Sequence, residues 1–363
     1  MTGGAASSID SLAHDAKVVV CAGPGGVGKT TVSAAIALHA ARSGRRACVI
    51  TVDPARRLAD ALGVESLTNT PAPVAGEFEG TLHALMLDTK STFDDLVDRH
   101  ARSAAQSEAI RANRIYQNLT GMLSGTQEYM AMEKLYELTE SGEFDVVVVD
   151  TPPTRNALDL LDAPRRLTRF LENRLFRALL GPTRASLRLL SIATQALLRT
   201  LSRVAGAEIV QDAVAFFQAF EGMEEGFSSR AGAVRELLAD PATAYVLVTS
   251  PRPDSIEETT YFAARLAETG VEPAALVVNR VHPAFGPVSV PAGERPGGPL
   301  GALLENHARL QRAAEDEGRS VAALTAQVAP SPVARIALLD TDVHDLEGLA
   351  AVADQLFGLP PVR

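Results

Sequence analysis

The chain has 363 residues, 46% of them hydrophobic, and a formal net charge of −10 at pH 7. That is ample apolar material for a large core, and the acidic balance argues against bulk nucleic-acid binding. Two cysteines, Cys21 and Cys48, offer neither a disulfide framework nor a cysteine zinc site, which fits a reducing, cytoplasmic setting.

Taken from the N-terminus, residues 1–15 read as a disordered tail. Thr2 to Ser8 is small and polar, and Met1 to Lys17 lacks the basic-then-apolar pattern of a signal peptide. An apolar strand, Val18–Ala22, then runs into Gly23-Pro24-Gly25-Gly26-Val27-Gly28-Lys29-Thr30-Thr31, and a helical stretch to Arg42 runs out of it. This is the G-x-x-x-x-G-K-[ST] spacing in strand–loop–helix context. Glycines let the backbone N–H groups close around an anion, and the helix aims its free N–H groups at the same point. Gly23, Gly25, Gly26, Val27, Gly28, Lys29, Thr30 and Thr31 are therefore the candidate phosphate cradle. Lys29 reaches the β- and γ-phosphates and Thr30 ligates Mg²⁺. Only four lysines stand against 30 arginines, which makes a chance lysine at this place less plausible.

Further β-branched runs follow at Ala47–Val52, Leu82–Leu87, Val146–Val149, Tyr245–Thr249, Leu276–Val278 and Ala326–Ala329. Most are too apolar to alternate, as in parallel strands covered on both faces. Two stretches, about 91–138 and 163–238, carry no strand signal and read as helical insertions. Gly286 to Gly298 reads as an exposed loop, and no apolar run is long enough for a membrane span. The expectation is an α/β fold with a doubly wound, mainly parallel sheet of about seven to eight strands. One P-loop domain would span 16–363, with the helical subdomain inserted. Ligands in such sheets bind beyond the carboxyl ends of the strands. Asp53 follows one strand and Asp150 ends another, so both carboxylates should face the loop.

With these residues in place the chain resembles a known family. GPGGVGKTT (23–31), TVDPARRLADALG (51–63), FDVVVVDTPPTRNALDLL (144–161) and VVNRV (277–281) are similar to the arsenite-pump and tail-anchored-protein-targeting ATPases, the ArsA/Get group. That group belongs to a dimeric P-loop class with MinD- and ParA-like proteins. The resemblance implies that Asp53 orients and deprotonates the attacking water; an N-cap is the alternative, since Asp-Pro often opens helices. It implies that Asp150 holds Mg²⁺ through water, against a merely hydrogen-bonded buried aspartate. Asn279 would read the adenine edge, against a strand-ending turn residue. Pro330, in Pro330-Ser331-Pro332, would cover the adenine. Asn279-Arg280-Val281-His282 lacks the acid that follows the Asn-Lys pair of related GTPases, which favours ATP.

The chain also departs from the family. Its loop normally carries a lysine where Pro24 stands, and that lysine reaches the partner's phosphates across a dimer. Proline has neither charge nor N–H. The family's His-Asn after the first switch is Arg56-Arg57 here, and its Gly-His after the second-switch threonine is Arg155-Asn156. Arg56, Arg57 or Arg155 could replace the lysine, a lysine-bearing paralogue could supply it in a heterodimer, or nucleotide could act mainly as a structural switch.

The insertion between Ala163 and Ala207 holds nine arginines. Leucines recur in it at helical spacing, followed by Phe216, Phe220, Met223 and Phe227. This pattern fits the core of a helical subdomain. The functional alternative is an apolar groove that opens and closes with nucleotide state and holds a partner helix, whose basic rim would suit an acidic partner or an anionic membrane surface. The leading reading is a cytoplasmic Mg²⁺-ATP-dependent dimer, able to work peripherally at a membrane, that couples nucleotide state to a protein or membrane client. A weakly hydrolysing scaffold subunit and a metalloid-pump ATPase are the alternatives. The latter is weakened by the cysteine count.

Overall fold

The computed structural model describes residues 9–53, 56–114, 116–117, 126–152, 207–284, 286 and 298–358. They divide into two compact units. The first draws on Met1–Met86, Leu138–Leu158 and Pro241–Arg363, the second on Leu87–Glu137 and Asp159–Asp240.

The first unit is an eight-stranded sheet, mainly parallel, in the order β3-β4-β2-β5-β1-β6-β7-β8. Its strands are β1 (Val18–Ala22), β2 (Arg46–Thr51), β3 (Ala72–Pro73), β4 (Thr81–Met86), β5 (Val146–Asp150), β6 (Thr243–Thr249), β7 (Ala275–Val281) and β8 (Val333–Ala337). β1 and β5, reading VVVCA and VVVVD, are buried at every position. This is what a strand covered on both faces requires. Only the two-residue β3 runs antiparallel, and as an edge strand it tolerates Pro73. The sheet agrees with the expected α/β doubly wound class.

Helices α1 (Asp10–His14), α2 (Lys29–Arg42) and α3 (Arg57–Leu62) also belong to this unit. The stretch 1–15 expected as a tail thus includes a short helix, held by burial of Leu12 and Ala13. α2 is buried along most of its length because its sequence, KTTVSAAIALHAAR, is rich in alanine. Small side chains let the sheet and another helix approach it together.

One expectation about the C-terminal part needs correction. The run Ala326–Ala329, expected as a strand, instead continues a 30-residue helix, Gly298–Gln327, and the turn after it. The last strand begins only at Val333, after Pro330 and Pro332 have stopped the helix. Short apolar runs read the same way in helix and strand, and here helix periodicity upstream decides the matter.

In the second unit, α4 (Thr89–His100), α5 (Ala104–Arg111), α6 (Thr126–Ser141), α7 (Ala207–Ala219) and α8 (Glu224–Ala239) confirm helix in the described parts of both strand-free stretches. α6 ends just beyond the unit's boundary at Glu137. Phe216, Phe220, Met223 and Phe227 are all buried. Phe220 packs against Phe216 and Phe227 with ring centroids 5.3 and 4.9 Å apart, and Phe93 against Tyr116 at 5.2 Å. These four residues thus pack as the core of the helical unit, as the core reading expects. The arginine-rich stretch 163–206 lies outside the described residues.

Candidate nucleotide site

β1 delivers the chain into the loop, and the loop packs on the end of the next strand. A Cβ at Gly23 would strike the Val248 carbonyl oxygen of β6. Gly26 and Gly28 have φ of +78° and +93°, in the left-handed region that glycine adopts freely. A Cβ at Gly28 would also strike Asn279 Nδ2. Gly28 is the N-cap of α2 and provides no side-chain cap. The first N–H groups of the helix are therefore left to face an anion.

Lys29 is buried and donates from Nζ to the Pro24 carbonyl at 2.9 Å. Burial lowers the pKa of its ammonium, opposed mainly by Asp150 and Asp53. Pro24 is itself buried.

Strand register assembles the acids. Cys21 of β1 and Thr51 of β2 both pair with Asp150 of β5. Asp150 is 1% exposed and its Oδ2 accepts from Thr30 Oγ1 at 2.6 Å and from Thr51 Oγ1 at 2.9 Å. Burial raises its pKa, while the two hydroxyl bonds and Lys29 oppose that rise. The half-buried Thr30 hydroxyl and the buried Asp150 carboxylate in contact with it are hard oxygen donors of the kind Mg²⁺ takes. The donor set thus fits the expected ion.

Asp53 follows β2, with its backbone N–H on Thr51 Oγ1 at 3.2 Å and Oδ2 3.4 Å from Arg57. The helix α3 that follows begins at Arg57, and Arg56 before it makes no side-chain cap bond. Of the arginines considered as lysine replacements, Arg57 faces the pocket. Arg56 bonds the Glu65 carbonyl, and Arg155 lies outside the described residues.

Asn279 is 8% exposed, donates from Nδ2 to the Val27 carbonyl at 2.8 Å and accepts from the Arg280 N–H at 2.9 Å. It is not a strand-ending turn: it sits within β7, at an irregularity in the pairing with β8. The next residue escaped the sequence reading. Arg280 has φ of 61°, unusual for a bulky side chain, and its guanidinium donates to the Gly26 carbonyl at 2.9 Å. Only the run Asn-Arg after an apolar strand hinted at it. Its aim is set by the bulge.

Pro330 is misplaced by the sequence reading. It precedes β8, which runs parallel to β7, so it lies at the amino edge of the sheet. There Pro332 O accepts from Leu276 N and Ser331 Oγ donates to Pro273 O. The segment that does reach the pocket follows β8. Leu338, Leu339, Thr341, Asp342 and Val343 line a cavity of about 490 Å³ together with the loop, Asp53, Asp150, Asn279 and Arg280. That volume is in the range of small-molecule sites.

The two cysteines are buried within β1 and β2, and burial pushes the Cys21 thiol up to about 12. This is the opposite of what a thiolate ligand for metalloid needs.

The anion-transporting ATPase (ArsA) family matches residues 16–286 of the chain. The chain is 33% identical over 285 residues to an uncharacterized protein of Streptomyces coelicolor, covering 78% of this chain and 66% of that one. It thus spans just under two thirds of that relative's length. It is 26% identical over 346 residues to ATPase GET3 of Malassezia globosa, covering 94% and 90% of the two chains. Against the putative arsenical pump-driving ATPase 2 of Aquifex aeolicus it is 24% identical over 275 residues, covering 74% and 81%.

Proposed function

For a chain that belongs to the anion-transporting ATPase (ArsA) family, the ArsA/Get group, we propose the activity of a Mg²⁺-dependent ATPase whose nucleotide state controls binding of a protein or membrane client. The observation that carries this reading is the meeting of Lys29, Thr30, Asp150 and Asp53 in one pocket at the carboxyl ends of β1, β2 and β5. The loop N–H groups and Lys29 hold the phosphates. Thr30 and Asp150 hold Mg²⁺, which when bound neutralises charge on the transferring phosphoryl group. Asp53 orients a water and accepts its proton as the new P–O bond forms and the bond to the leaving β-phosphate oxygen breaks. Asn279, anchored to Val27, keeps capacity to meet the adenine edge. The helical unit, with its arginine-rich stretch, is the proposed client-binding part, and a dimer is the proposed assembly.

Nucleotide binding and ATP turnover of the purified chain test this. Asp53→Asn should keep ATP binding and lower turnover by about 10²–10⁴-fold, the usual worth of a general base. Lys29→Ala should lose both. Failure of the unaltered chain to bind ATP would overturn the reading.

A second reading, a nucleotide-binding scaffold that hydrolyses poorly by itself, is favoured by Pro24. A cation delivered to the transferring group is worth on the order of 10³–10⁵ in rate, and this buried proline delivers none. Pro24→Lys should raise turnover. An unchanged rate in a protein shown to be dimeric would remove the missing lysine as the limiting factor. Co-purification with a lysine-bearing paralogue would establish the heterodimer instead.

A further inference from the structure

Away from the nucleotide pocket, three side chains from two helices have the composition of a metal centre. Asp10 and His14 stand one turn apart on α1 and share a face. His39 comes from the last turn of α2. The Asp10 carboxylate bridges the two rings, with Oδ1 3.3 Å from His39 Nε2 and Oδ2 3.6 Å from His14 Nε2. Donor atoms of all three residues lie within 4.8 Å of one another. A tetrahedral ion with arms of about 2.0–2.1 Å spaces its ligand atoms about 3.3 Å apart. Small rotations of Asp10 and His14, both exposed, would close the set around one ion.

The third ligand is already oriented. His39 is buried and stacks on Phe357, with ring centroids 3.8 Å apart and planes at 15°. Phe357 ends the C-terminal helix Leu346–Phe357, which is tied to α2 by Arg42 and Asp354 at 3.2 Å. Two imidazoles and one carboxylate suit a borderline ion such as Zn²⁺ better than Mg²⁺ or Ca²⁺.

We propose that Asp10, His14 and His39 form a binding site for one divalent transition-metal ion of the zinc class, with solvent completing the coordination. Five residues of helix do not hold together unaided. The ion would cross-link α1 to the C-terminal end of the helix whose first turn carries Lys29 and Thr30. The competing arrangement is a carboxylate bridging two histidines with no metal affinity.

The test uses the full chain, treated with EDTA and free of nucleotide. Co²⁺ titration followed by visible absorption, and Zn²⁺ titration followed by calorimetry, should show one equivalent bound. Zn²⁺ should raise the melting temperature. His14→Ala and Asp10→Asn should each weaken Zn²⁺ binding at least tenfold and remove the melting shift, with unchanged circular dichroism. Absence of stoichiometric binding, or unaltered affinity in both variants, would overturn the proposal. Either result leaves ATP binding at the loop untouched, so the two readings fail separately.

Discussion

The two units bury polar groups in different ways. In the sheet unit the Asp150 carboxylate at the end of β5 accepts from Thr30 of α2 and Thr51 of β2 together, and the buried Lys29 ammonium donates to the Pro24 carbonyl. In the helical unit Glu133, 2% exposed, pairs with Arg230 at 2.6 Å, and Arg230 lies 4.1 Å from the Tyr136 ring centroid. Glu133 Oε2, Tyr129 Oη and His100 Nε2 are buried there without a hydrogen-bond partner among the described residues. Burial raises the Glu133 pKa against the pull of Arg230. The first arrangement stores polar groups where a charged ligand can use them. The second is a costly polar centre inside a helical core, where satisfied geometry matters more than charge.

The sharpest way to break this comparison is Glu133→Ala. It removes the carboxylate that Arg230 meets at 2.6 Å and should cost about 3–5 kcal/mol. Hydrogen exchange should show the loss in the helical unit, with ATP binding at the loop retained. A loss below 1 kcal/mol would mean that water or other groups already serve Arg230.

In the sheet unit the counterpart is Gly28→Ala. The new Cβ meets Asn279 Nδ2 at a backbone angle that disfavours it, which should cost about 1–3 kcal/mol. Nucleotide binding should fall with it, as measured by calorimetry, while the helical unit keeps its exchange protection.

Arg280→Gly sharpens the picture further. Glycine keeps the left-handed backbone and removes the guanidinium from the Gly26 carbonyl. ATP affinity should fall about tenfold, or about 1.4 kcal/mol, without a drop in melting temperature. Unchanged affinity would remove Arg280 from the phosphate environment.

The smallest effect is a pH dependence. Burial, reinforced by Arg230 and Arg99, lowers the His100 pKa below its ordinary value. The unfolded chain then binds the proton more readily than the folded one. This contribution to stability is present above the ordinary histidine range and is lost as pH falls through it. His100→Gln should flatten the slope of melting temperature between pH 7 and 5. An identical slope would assign it to other groups.

Much of the pocket was legible because its parts are local. Glycine spacing, Lys29 and Thr30 are consecutive, and Asp150 ends a run of four valines, so strand-end geometry alone places the acid near the loop. Arg280 was not legible, because its direction comes from the irregular pairing of β7 with β8. Pro330 was assigned to the wrong edge because the start of β8 was not evident. An error of a few residues there reverses which end of the sheet a loop occupies. Phe216, Phe220, Met223 and Phe227 show the limit of periodicity, which identifies an apolar face but not what covers it. Asp10, His14 and His39 carry no motif, being 25 positions apart at the nearest step between the two helices.

The sequence by itself determined the phosphate loop, the parallel α/β layers and the family, since each rests on short-range pattern and backbone preference. Tertiary structure alone decided which carboxylate meets which hydroxyl, that Pro24 is buried, that Arg280 bonds the loop, and that two distant histidines share one aspartate. Those outcomes depend on strand order and helix packing, and both are set by contacts between residues far apart in the chain.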